Sequence, residues 1–170
     1  MKILIPLSAS LLLLTSCVIK GKTIRDVPAL NPQKINVTQL KDLPGKTLSL
    51  AVVDSRKEDI MSAQLRNEVT RAVTEALSRE GTQVQAQSKN ELVLTILDFE
   101  TKDYKEGCVK IGSALTLDKK AKVNTEASSC FETKSPFGQK MGADISAAYE
   151  EALNLTFKNL NEGLSQLPPQ

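Results

Sequence analysis

The chain has 170 residues, of which 41% are hydrophobic and 25% are charged, a composition typical of a soluble globular domain and not of a disordered tail or a membrane bundle. The formal net charge is only +2, with no tryptophan, two tyrosines and four phenylalanines, so we expect no nucleic-acid partner. Histidine, which most often transfers protons near neutral pH and ligates metals, is absent, so we expect neither enzymatic activity nor a cofactor or metal.

The amino terminus has the pattern of a secretory signal over residues 1–16. Lys2 is a basic start, and the apolar run that follows over 3–14 is too short to span a membrane, which takes roughly 20 residues. The run ends in Leu14-Thr15-Ser16-Cys17, which resembles the lipobox of bacterial lipoproteins. This resemblance implies cleavage before Cys17 and acylation of that cysteine. The alternative is an ordinary secreted protein with a chance cysteine at the cleavage site.

The segment after the cysteine bears on location. Val18 stands where an Asp would favour retention at the inner membrane, so the lipoprotein resemblance implies an outer-membrane anchor with the domain in the periplasm. Acyl chains such as palmitate hold a protein there because each buried methylene contributes about 0.8 kcal/mol. Residues 18–33 lack a clean hydrophobic period and contain Pro28 and Pro32, so we predict a lipidated tether over 17–33.

A single domain is predicted over 34–170, and its first half reads as strand, helix, strand, strand. The apolar run Leu48–Val53 predicts a buried strand. Apolar residues then recur at intervals of three and four from 62 to 80, ahead of a terminating Gly81, and predict a helix. Residues 82–86 predict a weak strand, whereas 92–99 are apolar on both alternating faces and predict a central strand.

Two alternating runs on either side of Asp118-Lys119-Lys120 predict a β-hairpin. If these three residues are the loop, Leu117 faces Ala121, and the same register places Cys108 opposite Cys130. The cysteines then lie on the face away from the apolar residues, where a disulfide would join the open end of the hairpin. An oxidising periplasm favours that bond. A free pair or metal ligation are the alternatives, although two cysteines without histidine make a poor zinc site.

The last element is a helix over 144–167, with a broad apolar side and with Glu150, Glu151 and Lys158 on the other side. The order of elements predicts an α+β two-layer sandwich, a mixed four- to five-stranded sheet with two helices on one face. The second face of the sheet, or an edge strand, is the expected place for a partner.

Several segments carry a family likeness. They are the lipobox, the proline-containing tether, a strand ending Val-Val-Asp-Ser-Arg at 52–56, a helix closed by Arg-Glu-Gly at 79–81, the strand over 92–99 and the last helix from 147 to 160. Together they resemble the YajG-type envelope lipoproteins. They also suit other small α+β lipoproteins, such as those that assist lipopolysaccharide assembly. The cysteine pair is not part of the family pattern, and the resemblance implies no catalytic residues.

Several groups contain the residue types of catalytic sites but are expected to have structural roles. Asp54-Ser55-Arg56 follows the first strand, but without a histidine Ser55 has no usual base. Acidic pairs such as Glu58-Asp59, Asp98 with Glu100 and Asp103, and Glu150-Glu151 are expected to be solvated surface charge. We therefore expect a membrane-tethered interaction or accessory module of the cell envelope that binds a protein partner. A binder of lipid or glycan, in a slot between sheet and helices, is the alternative, and a carboxylate hydrolase is the weakest one.

Overall fold

The elements follow the predicted order. The computed structural model describes residues 27–37, 40, 43, 46–56, 62–102, 106–132 and 141–167. In chain order these residues form a 3-10 turn (Pro32–Lys34), β1 (Thr47–Asp54), α1 (Ser62–Arg79), β2 (Gln83–Val84), β3 (Glu91–Lys102), β4 (Glu106–Leu117), β5 (Ala121–Glu132) and α2 (Met141–Ser165). The predicted signal peptide and Cys17 lie outside the described residues, as do Glu58, Asp59 and Asp103.

The described strands form one mixed sheet in the order β2-β1-β3-β4-β5. β1 pairs in parallel with both β2 and β3, whereas β3, β4 and β5 are successive antiparallel neighbours. A helical crossover through α1 is what allows β1 and β2 to run in the same direction. The predicted α+β fold with β3 at the centre of a mixed sheet is therefore confirmed.

Both helices pack on the same face of the sheet. α1 contributes Leu65, Val69, Ala72, Val73, Ala76 and Leu77, which are all at most 4% exposed. α2 contributes Tyr149, Leu153 and Phe157, which are at most 1% exposed. These side chains share one hydrophobic cluster with Leu92 and Leu94 of β3. The other face of the sheet is not covered by either helix.

The predicted hairpin register is confirmed. Leu117 pairs with Ala121 and Leu115 with Val123, on either side of a turn at 118–120. Asp118 and Lys119 have φ values of 47° and 60°, the left-handed conformations that a tight hairpin turn requires. The turn is closed by a 2.9 Å hydrogen bond from the Lys120 N–H to the Leu117 carbonyl.

A register shift bends β3 next to the open end of the hairpin. Ile96 pairs with Ile111 but Asp98 pairs with Lys110, so Leu97 is an extra residue in the strand. Such a bulge changes which face the following side chains occupy. Phe99 returns to the helix side, where its ring centroid lies 6.3 Å from that of Phe131 and 6.0 Å from that of Tyr149.

The end of the predicted tether belongs to the folded domain, which corrects the boundary at residue 33. We call residues 27–37 the strap, because they lie against both helices. Leu30 is 3% exposed and Ile35 is fully buried. The Leu30 N–H donates to Glu68 Oε1 of α1 at 2.8 Å, and the Asn31 N–H donates to Glu150 Oε1 of α2 at 2.8 Å. The prolines shape this segment into an extended chain and a 3-10 turn and do not release it from the domain.

Glu150 is a second correction, because we expected it to be solvated. It is only 5% exposed. Its carboxylate accepts the Asn31 N–H and lies 3.5 Å from Lys34 Nζ, which satisfies a charge that would otherwise be costly to bury. The helical period could not reveal this, since the strap that covers Glu150 is more than a hundred residues away in sequence.

Candidate functional site: the open face of the sheet

The face of the sheet opposite the helices is the candidate site, and we call it the open face. Pairing registers align its residues in rows across the strands. One row is Val53, Thr95, Gly112 and Glu126, and the next is Ala51, Val93, Ala114 and Asn124. Each row is therefore apolar or neutral on β1, β3 and β4 and polar on β5.

The apolar part of the open face forms a patch, defined as Ala51, Val53, Val93, Leu97 and Ala114. Val53 is 45% exposed, which is unusual for a large apolar residue in a strand. Ala51 is also exposed, and the other three are half-buried. The run Leu48–Val53 was predicted to be buried, and this is wrong for its alternate residues, because neither of the two described helices packs on this side of β1. A run that is apolar on both faces carries no signal that would distinguish the two environments.

A shallow depression lies beside the patch, where Gly112 faces the bulge residue Leu97. A Cβ placed on Gly112 would lie 3.1 Å from Leu97 Cδ1. The depression has a volume of about 420 Å³, and its floor and walls include Thr95, Leu97, Gly112 and Ala114. The missing side chain at Gly112 thus allows Leu97 to lie flat on the sheet.

Polar groups border the open face on the β5 side. Lys110 Nζ and Glu126 Oε2 are 2.7 Å apart, with side chains that are 46% and 59% exposed. Such an exposed pair contributes at most about 1 kcal/mol to stability. It places one positive and one negative charge at this border.

The predicted disulfide is present on the open face. Cys108 and Cys130 are directly opposed, with their sulfurs 2.04 Å apart and their Cα atoms 4.0 Å apart. Cys130 is exposed and Cys108 is half-buried. The bond joins the open end of the β4–β5 hairpin, as predicted.

Asp54 and its neighbours form a structural connection between β1 and α1. The Asp54 carboxylate accepts hydrogen bonds from Arg56 Nε at 2.9 Å, from Arg56 Nη2 at 2.7 Å and from Ser62 Oγ at 2.7 Å. Burial by itself would raise the pKa of Asp54, but these hydrogen bonds outweigh it and lower the pKa. Because the Asp54 carboxylate is ionised and hydrogen-bonded on both oxygens, it can hold the start of α1 next to the end of β1.

The other groups weighed for catalysis do not converge. The Ser55 hydroxyl donates to the Ile96 carbonyl at 3.0 Å, and Asp98 accepts the N–H of Phe99 at 2.8 Å. The Asp54 carboxylate binds Arg56 and Ser62, whereas Asp98 lies within β3 beside Lys110 of β4, and the two carboxylates share no partner. In the part of the chain that the structure describes, no group of three or more acidic residues or cysteines is arranged to hold a metal ion.

A second concavity, which the sequence did not predict, lies between the strap and the start of α2. We call it the strap groove, and its volume is about 470 Å³. Apolar side chains from both segments line it, with Lys34 and Glu150 at its polar side. The apolar lining residues include Val27, Pro28, Ala143, Ile145 and Ala147. The predicted slot between sheet and helices is instead occupied by packed side chains such as Tyr149, Leu153 and Phe157.

Neither helix of the described chain has the length and hydrophobicity that crossing a bilayer demands.

Comparisons with known proteins yield distant structural similarity only. No protein-family model matches the chain, and no curated protein sequence matches it. Protein XCC0632 from Xanthomonas campestris is 13% identical with a TM-score of 0.45, over 70% of this chain and 82% of that one. A minor lipoprotein from Acinetobacter baumannii is 15% identical with a TM-score of 0.35, over 75% and 98%. Rare lipoprotein B from Shewanella oneidensis is 13% identical with a TM-score of 0.38, over 69% and 93%. Similarity at this level identifies neither a family nor an activity.

Proposed function

We propose that this protein is a lipid-anchored lipoprotein of the bacterial cell envelope, resembling the YajG type, that acts as a non-enzymatic interaction module. The observation that carries the proposal is the apolar patch on the open face, with Val53 45% exposed at its edge. Exposed groups of apolar side chains on a soluble domain commonly mark sites of protein interaction. The partner is a protein of the envelope that buries this patch.

The position of the strap supports this arrangement. The chain that follows Cys17 enters the domain at Val27, on the helix side of the sheet, where Leu30 and Asn31 are hydrogen-bonded to α1 and α2. Val27 is ten positions after Cys17, and the chain between them spans at most about 36 Å. An anchor at Cys17 would therefore be attached on the helix side of the sheet, away from the open face.

A site-specific photocrosslinker tests the docking surface in intact cells. Placed at Val53, in the apolar patch, it should capture one defined envelope protein that mass spectrometry identifies. The matched control places the same crosslinker at Asn67, which is exposed on α1. Capture of the same protein from both positions, or of no reproducible protein from Val53, would contradict the proposal. When the crosslinker is placed at another residue of the patch, Val53→Asp should abolish capture of the partner, because a carboxylate at position 53 is costly to bury.

The lipid anchor is tested separately by metabolic labelling. Radiolabelled palmitate should enter the protein, and Cys17→Ala should abolish the label and the membrane association together. A variant with Cys108→Ala and Cys130→Ala is the control, and it should keep the label because these sulfurs are joined to each other. A Cys17→Ala protein that is still processed and membrane-bound would contradict the anchor.

Outer-membrane localisation rests on Val18. Val18→Asp should move the protein from the outer-membrane fraction to the inner-membrane fraction, whereas Val18→Ala should leave it in place. A distribution that is the same for both variants would count against sorting by this residue.

The alternative function, binding of a lipid or glycan, is favoured by one observation, the strap groove with its largely apolar lining. Native mass spectrometry of the protein would detect a co-purified lipid or glycan as added mass. Ala147→Trp, which narrows the groove from the exposed side of α2, should remove that mass. Retention of the mass in this variant would exclude the strap groove as the binding site.

A further inference from the structure

β5 is the last strand of the described sheet and has a long outer edge. It contains twelve residues, Ala121–Glu132, and among the described strands only β4 pairs with it. The edge strand at the opposite side, β2, has only two residues. An unpaired edge of this length presents a row of backbone donors and acceptors on which another strand can form.

The structure identifies which backbone groups point outward. In an antiparallel pair, opposed residues with closely spaced Cα atoms do not exchange hydrogen bonds, so their N–H and C=O groups point away from the partner strand. The Cα atoms of Cys108 and Cys130 are 4.0 Å apart, so Cys130 is such a residue. By alternation, Lys122, Asn124, Glu126 and Ser128 also direct their backbone groups outward. The Asn159 side chain of α2 confirms this, because its Nδ2 donates to the Glu126 carbonyl at 3.0 Å.

Charge is distributed unequally along the β4–β5 hairpin. Lys119, Lys120 and Lys122 are exposed at the turn. At the open end Glu132 is exposed and lies opposite Glu106 of β4, which in turn lies opposite Lys102 of β3. Within one molecule Lys122 and Glu132 are ten residues apart along β5, or about 33 Å. The edge strand itself therefore carries a positive charge near one end and a negative charge at the other.

We propose that two copies of this chain associate through antiparallel pairing of their β5 edges, with the two-fold axis at Ala127. In this register outward-facing residues oppose one another. Lys122 of the first copy lies opposite Glu132 of the second copy. By symmetry, Glu132 of the first copy lies opposite Lys122 of the second. A shift of two residues towards the turn would instead oppose Glu132 to Lys120, which lies outside β5, and a register centred on Asn124 would oppose Lys122 to Glu126 but pair only the first half of β5. The register centred on Ala127 is favoured because it opposes two charged residues of β5 and also pairs nearly the whole strand. The two five-stranded sheets become one ten-stranded sheet.

The flank of α2 next to the edge leaves room for this pairing. Asn159 Nδ2 donates to the Glu126 carbonyl, whose oxygen keeps a second lone pair for the N–H of Ser128 in the second copy. Leu155, one turn earlier on the same flank, is half-buried.

A charge-swap experiment tests the proposal on the full chain isolated from membranes in one mild detergent. Sedimentation velocity should show a dimer for the unchanged protein. Lys122→Glu and Glu132→Lys should each weaken self-association roughly tenfold or more, because every dimer contains the altered contact twice. The variant carrying both substitutions should regain the dimer. Because the two sites are far apart in one molecule, only contact between copies explains such a rescue.

A second variant tests the backbone contact. Ser128→Pro removes an outward N–H and leaves the hydrogen bonds between β4 and β5 in place, so it should yield a folded monomer, as judged by an unchanged circular dichroism spectrum. A monomeric unchanged protein, a dimer that is insensitive to Lys122→Glu, or a double variant that stays monomeric would each overturn the proposal. So would a folded Ser128→Pro protein that remains dimeric.

Discussion

Gly163 of α2 lies so close to Val123 of β5 that a Cβ on the glycine would overlap Val123 Cγ1. Helix and sheet can approach this closely only because position 163 has no side chain. Val123 cannot move aside easily, because its branched side chain is restricted to few rotamers and is 7% exposed.

Gly163→Ala should therefore destabilise the protein, although alanine is the better helix former by about 1 kcal/mol. We expect a net loss of about 1–3 kcal/mol in the free energy of unfolding, measured by urea titration. Gly142→Ala is the matched control in the same helix, where an added Cβ meets nothing within 4 Å. It should be neutral or slightly stabilising. Equal effects at the two glycines would show that helix propensity, and not the contact with Val123, determines the result.

The Asp54 cluster should make stability depend on pH. Because the folded-state pKa of Asp54 lies below its unfolded value, its carboxylate contributes stability that is fully present above about pH 4. That contribution is lost as the pH falls through the folded-state value. We expect Asp54→Asn to cost about 1–3 kcal/mol at pH 7 and to reduce the loss of stability as the pH falls below about 4. Thermal melts across this range measure both effects.

Asp98→Asn is the control for that experiment. Asp98 is exposed and accepts the N–H of its neighbour Phe99. Its replacement should change stability at pH 7 by less than about 0.5 kcal/mol. A profile for Asp54→Asn that matches the unchanged protein would refute the role assigned to this carboxylate.

The disulfide should contribute to stability by restricting the unfolded chain. Cys108 and Cys130 are 22 residues apart, a loop for which the entropy of closure predicts about 3 kcal/mol. We expect the variant with both cysteines replaced by serine to lose about 2–4 kcal/mol, measured as a fall in Tm. Reductant should lower the Tm of the unchanged protein to the same value and should have no effect on the variant. A variant that melts at the Tm of the unchanged protein would contradict this account.

Asn154 should help Glu150 to fix the strap to α2. Its Oδ1 accepts the Asn36 N–H at 2.7 Å, and its Nδ2 donates to the Lys34 carbonyl at 3.0 Å. Asn154→Ala removes both hydrogen bonds and should cost about 1–2 kcal/mol. Hydrogen exchange at residues 34–36 should accelerate more than exchange in the sheet. Asn161→Ala, at an exposed position of α2, should leave the exchange at 34–36 unchanged.

Much of the fold could be predicted because its signals are local. The alternating runs around the turn at 118–120 specify the register, and the register alone places Cys108 opposite Cys130. The interval of three and four in α1 specified which of its residues are buried, and Gly81 with φ 83° ends the segment as expected. These patterns depend on residues that are near one another in sequence, so they can be recognised without the tertiary structure.

The wrong predictions concern positions whose burial depends on segments that are distant in sequence. Residues 27–33 of the strap were predicted to belong to a tether because they lack a hydrophobic period and contain two prolines, yet Leu30 is buried and hydrogen-bonded to a helix that lies far along the chain. Glu150 was predicted to be solvated for the same reason. Val53 was predicted to be buried, although its environment depends on whether a second layer covers that face.

The sequence by itself determined the elements, their order, the hairpin register, the disulfide pairing and the prediction of an anchored cysteine, because each follows from residues within about twenty positions of one another. Only the tertiary structure decided that the strap joins the helix layer, that Glu150 is covered, and that β1 and β3 display an apolar patch on the open face. Burial at those positions is set by packing between distant segments, and neither composition nor periodicity reports which segments meet.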